Sequence, residues 1–145
     1  MANRPLAKPF ARLGPAAPLV LRLVTGVIMA AHGWEKLADG PAGFGEGMLG
    51  PMGIPAPVAV AWLVTVIELV GGLFLIAGFL TRVAALANIG VLIGATILVK
   101  AEMGLIAEEG AGAELDLALI AGLFALVAIG PGRIAVDRAI KLDAD

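Results

Sequence analysis

The chain has 145 residues, of which 60% are hydrophobic, and a mean hydropathy of +1.00, well outside the range of soluble globular proteins. Its formal net charge of −2 includes no run of five like charges, which argues against a nucleic-acid partner. Because there is no cysteine, disulfides, thiolate chemistry and cysteine-held metals are excluded, and the expectation is a single domain in a lipid bilayer.

Arg4, Lys8 and Arg12 precede the first apolar run, with Pro5 and Pro9 among them. A basic start also opens secretory signals, but the run over 16–37 is longer than a signal core of roughly 7 to 15 residues and carries Arg22. It reads as a retained first membrane helix over about 18–38, with Pro18 in its first turn, where a missing N–H is harmless. Residues 39–55 hold six glycines and three prolines, too many for a spanning helix. Phe44, Met48, Leu49, Met52 and Ile54 make this stretch too apolar for a freely solvated loop, so it is expected to fold back over the bundle mouth.

A second helix over about 57–80 is long enough, at about 1.5 Å per residue, to cross about 30 Å of hydrocarbon with some tilt. Thr81-Arg82 reads as a very short turn, so a third helix over about 83–100 forms a tight hairpin with the second. A loop containing Gly104, Glu108, Glu109, Gly110 and Gly112 leads to a short fourth helix over about 114–129. That helix stops at Gly130-Pro131-Gly132, and a brief amphipathic surface helix is expected over about 134–142. The fold class is therefore all-α: an integral membrane bundle of four transmembrane helices.

Lys and Arg cluster on the side of the termini, at Arg4, Lys8, Arg12, Arg82, Arg133, Arg138 and Lys141, against Lys36 and Lys100 on the other. The positive-inside rule then makes both termini cytoplasmic. Acids gather in the outer loops (Glu35, Asp39, Glu46, Glu102, Glu108 and Glu109), and Trp34 and Trp62 fall near that outer interface. Gly90-x-x-x-Gly94 matches a dimer face and so leaves a homo-oligomer open, but packing inside the bundle is the expectation. Asn88 is expected to make an interhelical hydrogen bond.

Polar groups inside the apolar runs carry the functional signal. Glu68 sits mid-helix, where an ionised carboxylate costs about 2.5 to 3.5 kcal/mol even on a lenient insertion scale, so it needs a partner or a proton. Aligning the first two helices as an antiparallel pair puts His32, the only histidine, opposite Glu68. Lys36 and Met29 share the His32 face and Arg22 falls close to it; Asp116 opens the fourth helix roughly level with Lys36. Arg22, His32, Lys36, Glu68 and Asp116 are thus the candidate ligand-binding or proton-handling residues. The competing reading is a structural network that fixes helix register. One histidine without cysteine makes a poor transition-metal site, so no metal is expected. Thr25, Thr65, Thr81 and Thr96 are the only hydroxyl residues, and no nucleophile elbow is present.

Read in order, Leu21-Arg22-Leu23 with Gly26, His32-Gly33-x-x-Lys36, Glu68-x-x-Gly71-Gly72, Gly78-x-x-Thr81-Arg82 and Gly130-Pro131-Gly132 followed by Asp137 resemble the DoxX family of small bacterial and archaeal membrane proteins. Ala135 stands where that family often has serine. The resemblance implies a four-helix protein of the cytoplasmic (inner) membrane, named after a subunit of a terminal quinol oxidase. Its relatives are linked with thiosulfate:quinone oxidoreduction and with membrane-associated oxidative-stress complexes. Three functions follow as expectations: a redox-associated subunit that holds a quinone head beside an oxidoreductase partner, a non-catalytic assembly subunit, and a small-molecule or ion carrier. The carrier fits least, since four helices show no inverted repeat.

Overall fold

The structure, a computed structural model, describes residues 13–101, 104–107 and 110–143. The basic tail with Arg4, Lys8 and Arg12 and the loop acids Glu102, Glu108 and Glu109 lie outside the described residues. Among the described residues all regular structure is helical: α1 (Ala17–Asp39), α2 (Pro41–Phe44), α3 (Pro57–Ala77), α4 (Thr81–Leu98), α5 (Ala113–Ile129) and the single turn α6 (Val136–Ala139). A short 3₁₀ turn at Gly14–Ala16 leads into α1, and a π-helical turn at Gly45–Leu49 follows α2.

Three helical stretches are long and apolar enough to cross a membrane, Gly14–Asp39, Pro57–Ala77 and Thr81–Leu98. They make the chain a multi-pass membrane protein, and α5, at 17 residues, is shorter. The burial pattern is that of a protein built for lipid. Large apolar side chains such as Val24, Leu63, Leu73, Leu86, Ile97 and Phe124 face outward, whereas Arg22, Thr25, Thr65, Glu68, Thr81, Asn88, Asp116 and Asp137 are buried.

The four long helices run alternately up and down. α1 packs on α3 and α5, and α4 packs on α3 and α5, so they close a ring around Met29, Leu75, Leu92, Leu119, Leu123 and Leu126. The α1–α3 contact is backbone against backbone. A Cβ on Gly26 would lie 2.8 Å from the Gly72 carbonyl oxygen, and one on Gly33 would collide with the Leu69 backbone. Hydrocarbon gives apolar side chains no drive to associate, so such close approach replaces it.

The hairpin differs from the expected one. α3 ends at Ala77, because Gly78 takes the left-handed conformation (φ 71°), and Gly78 and Phe79 donate their N–H groups back to Leu75 and Phe74 at 3.2 and 2.9 Å. The turn is therefore Gly78–Leu80, and Thr81 and Arg82 belong to the first turn of α4. Leu80 itself has φ 45°, a region that favours glycine, and the Asp137 carboxylate holds it there by accepting the N–H groups of Leu80 (2.7 Å) and Thr81 (2.9 Å). Asp137 is thus an N-cap for α4 supplied from 56 residues downstream.

The C-terminal stretch is correspondingly not a surface helix over 134–142. It runs extended through Ala135 and makes one turn at α6. Asp137 then inserts into the bundle end, where its N–H donates to Gly78. The glycine-rich stretch after α1 is partly helical, with Leu49 and Gly45 buried and Gly45 against the Val58 backbone. These features define two ends of the bundle. The turn end holds Gly78–Leu80 and α6; the loop end holds α2 and the α4–α5 connection, with Trp34 and Trp62 exposed beside it.

Candidate functional site

Toward the loop end the ring borders a half-open cavity of about 660 Å³, mostly apolar in its walls. α1 contributes His32 and Lys36, α3 contributes Glu68, and α5 contributes Asp116, with Phe44 and Met48 at its mouth. Lys36 follows the buried stripe of α1 (Arg22, Thr25, Gly26, Met29, Gly33), and three residues past Gly33 its side chain lies on the face that meets α3. Its Nζ donates to Glu68 Oε2 at 2.6 Å and lies 5.7 Å from the centroid of the Phe44 ring. Glu68, only 6% exposed, therefore has its counter-charge.

A second ion pair faces the same cavity. Lys100 Nζ donates to Asp116 Oδ1 at 2.7 Å and to the Gly112 carbonyl at 3.2 Å. Thr96 Oγ1 lies 3.1 Å from Asp116 Oδ2 and 2.8 Å from the Leu92 carbonyl, its one proton serving both. Asp116 is 3% exposed and sits in the first turn of α5, where the helix dipole also favours a carboxylate. Lys100 and Thr96 were not among the candidates from sequence. Their signal was positional: the lysine that ends one apolar run stands level with the acid that opens the next.

His32 and Arg22 depart from expectation. His32 reaches the cavity wall, but the histidine side chain is 44% exposed and its nearest charged neighbour is Glu35, with Nδ1 4.0 Å from Oε2. It flanks the Lys36–Glu68 pair instead of forming it. Arg22 belongs to the opposite end of the bundle. Fourteen residues before Lys36 along one helix, it is about 21 Å away at 1.5 Å per residue. It is buried (1% exposed) against Gly78 and donates through Nη2 to the Ile134 carbonyl at 2.5 Å. There it anchors the C-terminal stretch together with Arg82, which pairs with Asp143 at 2.8 Å and donates to the Val127 carbonyl.

Two further expectations are corrected. Asn88 donates within its own helix, to Ala84 at 2.8 Å, with its amide flush against Gly71 of α3. Gly90 and Gly94 do not pack inside the bundle. A Cβ on either would meet nothing within 4 Å, and both line the cavity.

Chemically, the cavity offers ammonium donors at Lys36 and Lys100, an imidazole at its edge, and two buried carboxylates within an apolar shell. It suits an uncharged, oxygen-bearing head and groups that can exchange its protons. The family model described as DoxX matches residues 17–101, more than half of the chain. The match takes in α1, α3, α4 and Lys100, while Asp116 and Asp137 lie beyond it. No curated protein and no solved structure matches the chain.

Proposed function

The chain belongs to the DoxX family, and from that premise we propose that it is a redox-associated membrane subunit whose loop-end cavity binds the head of a lipid-soluble quinone beside an oxidoreductase partner. The observation that supports this reading is the pair of buried ion pairs, Lys36–Glu68 and Lys100–Asp116, set in the wall of one apolar cavity. Intramembrane charges are expensive and usually functional, and here they border space instead of being packed away. Lys36 and His32 are the donors placed for the head's oxygens, and Glu68 and Asp116 are the groups placed to take or return protons. Phe44 and Met48 add apolar surface to the same cavity. A bound quinone supplies two-electron, two-proton redox chemistry, and the chain supplies seat and protons.

The same reading places four spans in a bacterial or archaeal cytoplasmic membrane, with α5 as the shortest. Arg82, Arg133, Arg138 and Lys141 stand at the turn end, against Lys36 and Lys100 at the loop end. The positive-inside rule therefore puts the turn end, and with it both termini, in the cytoplasm.

The test is to extract the protein in native lipid particles and quantify quinone per protein by mass spectrometry. Enrichment over the surrounding membrane is expected, and it should be lost in the Lys36→Leu, Glu68→Leu double variant. A quinone content equal to that of bulk membrane in the parent protein refutes the proposal.

A further inference from the structure

The α3–α4 pair is in close contact on the turn side of its middle and borders a half-open cavity beyond it. Just short of the middle of α4, Asn88 is flush against Gly71 of α3. From there toward the loop end, Leu63 and Ile67 on α3 and Gly90, Val91 and Gly94 on α4 line the cavity without closing it. Gly90 lies at the middle of α4 and is exposed, and Leu63, across the gap, is 59% exposed. The cavity that begins among Lys36, Glu68 and Asp116 therefore continues sideways between two spanning helices, at a depth where hydrocarbon tails lie.

We propose that the cavity takes its ligand laterally from the bilayer, through the α3–α4 gap over Gly90 and Gly94, and that this ligand is an uncharged, oxygen-headed amphiphile on one flexible apolar chain. The inference deepens the reading above by naming route and tail, and it rests on that reading only for the identity of the head. The absent side chains at Gly90 and Gly94 make room for the chain, since each would otherwise project into space that nothing fills. The wall also selects against anionic heads. Glu35, Asp39, Glu68 and Asp116 face the cavity against Lys36 and Lys100, so a phosphate or carboxylate head would meet a net negative field. Open helix ends are not needed for entry, because a tail already in the hydrocarbon slides into a slot of the same polarity without crossing water.

The probe is a hexadecanol bearing a diazirine in its chain, added to the purified full-length protein in nanodiscs, photolysed and mapped by mass spectrometry. Adducts are expected on Leu63, Ile67 and Val91. The double variant Gly90→Leu, Gly94→Leu should reduce them by about tenfold, the loss expected when about two methylenes of the chain lose their seat. Gly90→Ala with Gly94→Ala should give a smaller reduction, and Val24→Leu on the lipid-facing side of α1 should give none. An added Cβ at either glycine meets nothing within 4 Å, and a leucine that points into the gap should not lower thermal stability; an unfolded variant contradicts the gap and overturns the proposal. So do adducts spread evenly over the lipid-facing surface, or labelling that the leucines leave unchanged. A diazirine hexadecyl phosphate should label these residues less, and equal labelling would overturn the neutral-head part. Decyl-ubiquinone should displace the alcohol. If it does not, while labelling remains sensitive to the leucines, the quinone reading falls and the lateral gap stands.

Discussion

Replacing Lys36 by methionine keeps the length and apolar stem of the side chain but deletes the ammonium 2.6 Å from Glu68. Unit charges about 4 Å apart at an effective dielectric of about 20 interact by about 4 kcal/mol. Breaking a buried pair from one side typically costs about 3 to 5 kcal/mol, because the remaining charge stays behind without its partner. The Lys36 side chain is 23% exposed, so the lower part of that range, about 3 kcal/mol, is expected for Lys36→Met. Glu68→Leu should cost less, because the orphaned lysine can extend toward the loop-end water. The double variant should return close to the parent, since an apolar pair of similar volume needs no counter-charge. All four proteins would be unfolded in maltoside micelles with increasing SDS, and the cycle evaluated for its coupling free energy. A cost below about 1 kcal/mol for Lys36→Met, with additive single effects, would mean that the pair behaves as a solvated surface contact, and the argument for an enclosed polar seat would fail. A double variant of parental stability that has also lost quinone separates the seat's function from any role in holding the fold.

Two other outcomes are expected. Asp137→Ala removes both acceptors for the Leu80 and Thr81 N–H groups and should destabilise the bundle by about 2 to 4 kcal/mol in the same unfolding assay; an unchanged midpoint would show that the turn end is not fastened there. Single cysteines at Ala42 and Ala111, both exposed at the loop end, should react with an impermeant maleimide on intact cells, and one at Arg138 only after permeabilisation, the reverse pattern inverting the proposed topology.

The apolar runs made the long helices legible, because length and hydropathy alone decide which segments hydrocarbon accepts. The depth of the polar layer was legible too: Glu68 in an oily run demanded a partner near the level of His32. The direction around the helix was not. The face of α1 that meets α3 is marked by Gly26 and Gly33, which add nothing to a hydropathy pattern, so His32 looked central although it sits a residue off that stripe, and Lys36 took the position against Glu68. Arg22 looked like part of the same cluster because angle without depth does not separate the two ends of a helix. The role of Asp137 had no local signal at all. It lies in a charged tail and becomes a cap only when the chain folds back onto Leu80 and Thr81.

That long-distance cap bears on how the protein is made. While α4 enters the membrane, its first turn has no acceptor of its own; the one it uses is still more than fifty residues from synthesis. Until residues 134–143 have been made and folded back, Leu80 and Thr81 lack the Asp137 carboxylate, Arg22 lacks the Ile134 carbonyl and Arg82 lacks Asp143. The helices can insert in sequence, but the turn end is latched by the last described segment of the chain. A chain broken off before Asp137 would lack both acceptors for the Leu80 and Thr81 N–H groups, so the first turn of α4 is finished by a segment made after all four long helices.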